Sequence, residues 1–146
     1  MNQKGFTMIE LVVVIVILGI LAAVAVPKFI DLQTEARTAS LQGTLGAMKA
    51  ASAMTYAKAL VNGVASEASS SVTVNGAAVP TAFGYPEDGD ALILVMNDIG
   101  NMTQDGTDPN LFTDLSGATP ANCSVEYVPA ADADTAASFN DDTAGC

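Results

Sequence analysis

The sequence predicts an α+β fold, and three observations carry that expectation. An unbroken apolar run from Leu11 to Val26 leads into a stretch whose apolar residues recur at helical spacing. The second half holds short β-prone segments punctuated by Gly, Pro, Asn and Asp, and only two cysteines are present, Cys123 and Cys146. The expected architecture is one long N-terminal helix, its apolar half protruding and its amphipathic half packed on a small antiparallel sheet, with a C-terminal disulfide loop. The segments expected are 1–5, 6–27, 28–62 and an acidic, β-rich globular part over 63–146.

At about 1.5 Å per residue the stretch from Phe6 to Val26 spans roughly 31 Å, the thickness of a bilayer's hydrocarbon core. Lys4 lies before it and Lys28 after it, too slight a bias of charge to set an orientation. Glu10 interrupts the apolar character near its start, and an acid deep in a membrane helix costs about 2.5 to 3.5 kcal/mol on insertion scales. Two processing routes compete. Ordinary signal cleavage after Ala25, in Ala23-Val24-Ala25, would discard the helix; its length and Glu10 both argue against an h-region. Cleavage between Gly5 and Phe6 would keep it and leave a cationic α-amino group on Phe6, four residues before Glu10. The pairing of ammonium and carboxylate makes Glu10 a register device for assembly; the plainer reading is that Glu10 is simply protonated.

Gly5-Phe6-Thr7-Met8-Ile9-Glu10-Leu11 resembles the class III signal of type IV prepilins, with Met8 in place of the more usual Leu. The resemblance implies that residues 1–5 are a leader removed by a membrane-embedded prepilin peptidase, and that the new Phe6 amine is methylated. It further implies that Glu10 contacts the Phe6 amine of a neighbouring subunit as the helices pack into a filament. The inner membrane would hold the precursor, pilus assembly machinery would extract it, and the subunit's main partner would be itself, in an extracellular pilus.

Pro27 stands where such pilins carry a helix-kinking proline; its ring meets the Ala23 carbonyl and removes one hydrogen bond. Gly19 either weakens the helix or admits a close neighbour. Beyond Pro27 the pattern becomes amphipathic: Leu41, Leu45, Met48 and Ala59 share one face, while Lys49 and Lys58 lie off it. Asp31, Glu35 and Arg37 read as a solvated face, with pairing between subunits as the alternative. Asn62-Gly63 is the expected stop.

Charge divides the chain. Residues 1–58 hold all five basic side chains and three acids, net +2, whereas residues 59–146 hold thirteen acids and no base. Such an exterior gives no phosphate-gripping patch, so no nucleic-acid partner is expected.

Val72-Thr73-Val74-Asn75-Gly76-Ala77-Ala78-Val79 reads as two strands around a type I′ turn. Ala91–Met96 is a buried strand or a helix fragment, and Cys123–Val128 a further strand. Closing the 22 residues between Cys123 and Cys146 stabilises by roughly 3.5 kcal/mol in the chain-entropy model. With no histidine and only two cysteines, a disulfide is favoured over a metal site.

Further chemistry is sparse: no histidine, nucleophile elbow or phosphate loop points to an enzyme, and no cofactor is expected. Asp105-Gly106-Thr107-Asp108-Pro109-Asn110 and Glu87-Asp88-Gly89-Asp90 read as turns in preference to calcium loops. Asn101-Met102-Thr103 and Asn122-Cys123-Ser124 are bare sequons, and Phe83 and Tyr85 read as packing or turn residues before a sugar-binding surface. Pro27-Lys28-Phe29-Ile30-Asp31-Leu32-Gln33, Ala39-Ser40-Leu41-Gln42-Gly43 and Phe83-Gly84-Tyr85-Pro86 are similar to mannose-sensitive haemagglutinin (MSHA) pilins, which implies attachment to a surface glycan or an abiotic surface. The expectation is therefore a structural pilus subunit. The alternatives are a pseudopilin of type II secretion and a conventionally secreted periplasmic binding module.

Overall fold

The computed structural model describes residues 5–117 and 119–146; Met1–Lys4, and with them most of the expected leader and its basic flank, lie outside the described residues. The chain divides into two compact units, Met1–Glu35 and Ala36–Cys146. Helix α1, Met8–Asn62, begins in the first and ends in the second, and Pro27 lies inside it. Among the described residues of the first unit every large apolar side chain is uncovered, from Val14 at 47% exposure to Phe6 at 87%. A helix apolar on all sides with nothing packed on it requires another apolar phase or other copies of itself.

The second unit is built on the stripe that α1 presents over its last turns. Leu41, Leu45, Met48, Ser52, Thr55 and Ala59 are all buried, and their spacing alternates between four and three residues, so the predicted face is the packed one. Thr55 satisfies its hydroxyl by donating to the Ala51 carbonyl at 3.0 Å. The helix ends where Asn62-Gly63 predicted. Gly63 has φ +74, its N–H donates to the Leu60 carbonyl at 3.1 Å, and Val64 N–H donates to the Ala59 carbonyl at 3.0 Å, the paired bonds of a Schellman stop.

One small sheet was expected, and two form. Strands β1 (Ser70–Val74), β2 (Ala77–Ala82) and β3 (Tyr85–Pro86) make an antiparallel three-stranded sheet; β4 (Met102–Gln104), β5 (Leu111–Asp114), β6 (Ser124–Val128) and β7 (Ser138–Asp142) make an antiparallel four-stranded one. Between them the chain folds into helix α2, Gly89–Met96, so of the two readings of Ala91–Met96 the helix is the one that forms. The physical reason lies at its ends. The Asp88 carboxylate accepts from Ala91 N–H at 2.9 Å, and Asn97, at φ 62, stops the helix by donating to the Ile93 carbonyl. A six-residue apolar run has too few periods to separate the two states, so its caps decide.

The β1–β2 hairpin turns at Asn75 (φ 51) and Gly76 (φ 85), both positive as a type I′ turn demands. The β2–β3 connection repeats this with Phe83 (φ 51) and Gly84 (φ 82). Val72 and Val79 from the first sheet, Leu92 from α2, and Phe112, Val125 and Tyr127 from the second join the α1 stripe in one core. The Tyr127 hydroxyl donates to the Pro86 carbonyl at 2.7 Å, bridging the two sheets, and burial raises its pKa.

Cys123 and Cys146 are disulfide-bonded, their Cα atoms 4.8 Å apart. The bond closes the segment that carries β6 and β7. Gly145 N–H donates to the Asn122 carbonyl at 2.8 Å, and Arg37 of α1 donates through Nη1 to the main-chain oxygen of Cys146 at 3.2 Å. The helix and the cysteine-bounded loop are thereby joined.

Candidate functional site at the start of the apolar helix

Glu10 is the third residue of α1, and Thr7 immediately precedes the helix. Their contacts are reciprocal. The Thr7 N–H and hydroxyl both donate to Glu10 Oε2, at 2.9 and 2.6 Å, while Glu10 N–H donates to Thr7 Oγ1 at 3.3 Å. This is a capping box: the threonine satisfies one orphan amide of the first turn and the glutamate satisfies another. The carboxylate also sits at the positive end of the helix dipole, where an anion is favoured. Local hydrogen bonds therefore offset part of the cost of placing this acid beside sixteen apolar residues, before any partner is present.

The threonine was the residue that the sequence reading missed. The signal was available, since Thr7-Met8-Ile9-Glu10 fits the pattern of Ser or Thr followed three places later by Glu ahead of an apolar run. Phe6 and Glu10 do come together on one surface. With Ile9, Val13 and Val14 they line an open groove of about 400 Å³. Both hydrogen bonds that the carboxylate accepts fall on Oε2. Among the described residues Oε1 accepts none, and it remains able to meet a cation from outside the chain.

Farther along, Lys28, Asp31 and Glu35 fall on one exposed helical stripe. The other acidic motifs are occupied by their own turns. Asp105 Oδ1 accepts from the Thr107 hydroxyl at 2.5 Å, from Thr107 N–H at 2.8 Å and from Asp108 N–H at 3.0 Å, and these bonds, the hydroxyl first, lower its pKa. Asp88 caps α2, and Asp90 accepts from Gln104 Nε2 at 2.9 Å. Phe83 sits in the β2–β3 turn and Tyr85 stacks on Tyr56. Within the sequons, Met102 is buried and Cys123 is in the disulfide.

The model of the prokaryotic N-terminal methylation motif matches residues 1–26, the span that contains this capped start and the uncovered helix. At this segment the chain is similar to type IV pilins. It is 49% identical over 59 residues to the major component of the type IV narrow pilus of Thermus thermophilus, covering 40% of this chain and 51% of that one. The type IV major alpha-pilin of Moraxella bovis is 51% identical over 49 residues, 34% of this chain and 31% of its own length. A core protein G of the type II secretion system of Pseudomonas aeruginosa is 46% identical over 50 residues, 34% of this chain and 35% of its own. The chain thus spans about half, or a third, of the length of these curated relatives, and no solved structure matches it. The contacts around Glu10 are those of hydrogen bonding and packing.

Proposed function

We propose that this chain is the structural subunit of a type IV pilus. The observation that carries the proposal is the apolar start of α1: an uncovered helix of membrane-spanning length, opened by the Thr7–Glu10 capping box, inside the methylation motif. Residues 1–5 serve as a leader, prepilin peptidase cuts after Gly5, and the Phe6 amine is methylated. The inner membrane stores the precursor through 6–27. Assembly machinery then lifts the subunit into an extracellular filament, in which Glu10 of one copy meets the Phe6 amine of the next. Pro27, which has no N–H to give the Ala23 carbonyl, supplies the bend. The segment 28–62 continues the helix into the globular part, and 63–146 faces outward.

The later segments similar to MSHA pilins make attachment to a glycan or an abiotic surface the role of that filament. A pseudopilin of type II secretion is the second reading, supported by the likeness to core protein G. The test is the N-terminal mass of material sheared from the cell surface. A chain beginning at N-methyl-Phe6 is expected; a chain beginning at Val26 would overturn the reading. A deletion strain that lost secretion while keeping normal surface filaments would favour the pseudopilin.

A further inference from the structure

Two of the three tyrosines lie face to face. Tyr56 of α1 and Tyr85 of β3 stack with ring centroids 4.4 Å apart and planes 12° from parallel. The sequence goes to some length to permit this. Phe83 adopts φ 51 in the turn that presents Tyr85, a conformation costly for a bulky residue. At Gly84, φ +82, a Cβ would come within 2.9 Å of Tyr56 Cδ2 and 3.0 Å of the Ala65 backbone, so only glycine lets the turn close on the ring.

Both rings are partly exposed, and they line one open groove of about 470 Å³ together with Lys49, Ser52 and Phe139. The chain has no tryptophan, and both cysteines are in the disulfide. The phenols are therefore its readiest one-electron donors. Tyr127, by contrast, is 1% exposed, and its hydroxyl is committed to the Pro86 carbonyl.

We propose that Tyr56 and Tyr85 form an oxidative coupling site, at which an intramolecular dityrosine bond ties α1 to β3. The oxidant is a peroxide acting through a haem peroxidase in one-electron steps. Each phenol gives up one electron and one proton, and one hydrogen peroxide takes both pairs and becomes two waters. The two tyrosyl radicals join through the ring carbons ortho to their oxygens. The hydrogen on each joined carbon then leaves as a proton and one returns to each oxygen, so that two phenols are restored and the chain has lost two hydrogens. Burial, and then the neighbouring Tyr56, raise the pKa of Tyr85. The resulting bond would resist the reductants that open Cys123–Cys146.

The full-length protein in detergent micelles is treated with hydrogen peroxide and horseradish peroxidase, then reduced, digested and mapped by tandem mass spectrometry, with dityrosine fluorescence followed in parallel. The expected product is a monomeric chain lighter by two hydrogens, with one cross-linked peptide pair joining Tyr56 to Tyr85. Tyr85→Phe and Tyr56→Phe should each abolish it, and Tyr127→Phe should leave it. The map of the wild-type chain is decisive even if a variant folds poorly. Dityrosine found only in covalent dimers, a cross-link through Tyr127, or no coupling where free tyrosine couples in the same mixture would overturn the proposal.

Discussion

Glu10→Gln separates two uses of one side chain. A glutamine at the third helical position still accepts from the Thr7 N–H and hydroxyl, so the capping box survives. What changes is the other atom of the group. In the native chain it is Oε1, an anionic acceptor with no partner among the described residues; in the variant it is an amide NH₂, a donor that faces the incoming ammonium. The helix start should therefore be unharmed, insertion into the membrane should be easier, and only the contact between subunits should fail.

Leaving one member of a buried ion pair without its partner costs about 3 to 5 kcal/mol. At about 1.4 kcal/mol per tenfold, this weakens each subunit contact by roughly two to three and a half orders of magnitude. The assay is the ratio of sheared surface filament to total cellular chain by immunoblot, with the N-terminal mass of the membrane-held subunit as the control for processing. Processing should be intact and filaments nearly absent. If Glu10→Gln yields filaments within about twofold of wild type, a difference under roughly 0.5 kcal/mol, the ion-pair role is refuted and Glu10 is a helix cap alone.

Replacing Cys123 and Cys146 together by alanine should destabilise the second unit by roughly 3.5 kcal/mol, which at about 4 °C per kcal/mol lowers its melting temperature by about 14 °C in circular dichroism. Met48→Ala empties a fully buried position in the α1 stripe and should cost about 3 kcal/mol, read by urea unfolding in the same micelles. Burial raises the pKa of Tyr127 above its unfolded value of about 10, so the contribution of its phenol is complete below that pH and is lost as pH rises through the folded value. Thermal unfolding should accordingly fall more steeply above about pH 10 in the wild type than in Tyr127→Phe, which in turn should lose about 1 kcal/mol at neutral pH with its bond to Pro86.

Features governed by a long period or a single backbone constraint were legible in the sequence. Leu41, Leu45, Met48 and Ala59 named the packed face because a helix repeats its pattern over many turns, and Asn75-Gly76 named a hairpin because few residue pairs tolerate two positive φ angles. Ala91–Met96 stayed open between strand and helix for the opposite reason. Six apolar residues hold less than two helical turns, and the deciding groups, Asp88 and Asn97, lie outside the run. Of the second sheet only β6, within Cys123–Val128, was legible, because β4 and β5 are only three and four residues long and their register is set by partners outside each strand. At the site, Phe6 and Glu10 stood out by cost. Thr7 did not, because a threonine beside an apolar helix costs little and its value appears only when the Glu10 carboxylate turns back toward it.

Under the proposed function, that geometry resolves an apparent conflict between storage in a membrane and assembly into a polymer. If Thr7 consumed the whole carboxylate, assembly would have to break the cap before forming the pair, and one gain would cancel the other. The two accepted bonds converge on Oε2, so the cap and an intersubunit ammonium draw on different oxygens of the same group. Glu10 can thus be stabilised in the isolated subunit and retain its attraction for a neighbour. The charge division works in the same direction. In the proposed filament, thirteen acids and no base over residues 59–146 would make those parts of adjacent copies repel, so cohesion would come from the uncovered helix, where each lateral contact would bury apolar surface and the proposed Phe6–Glu10 pair would set the stagger.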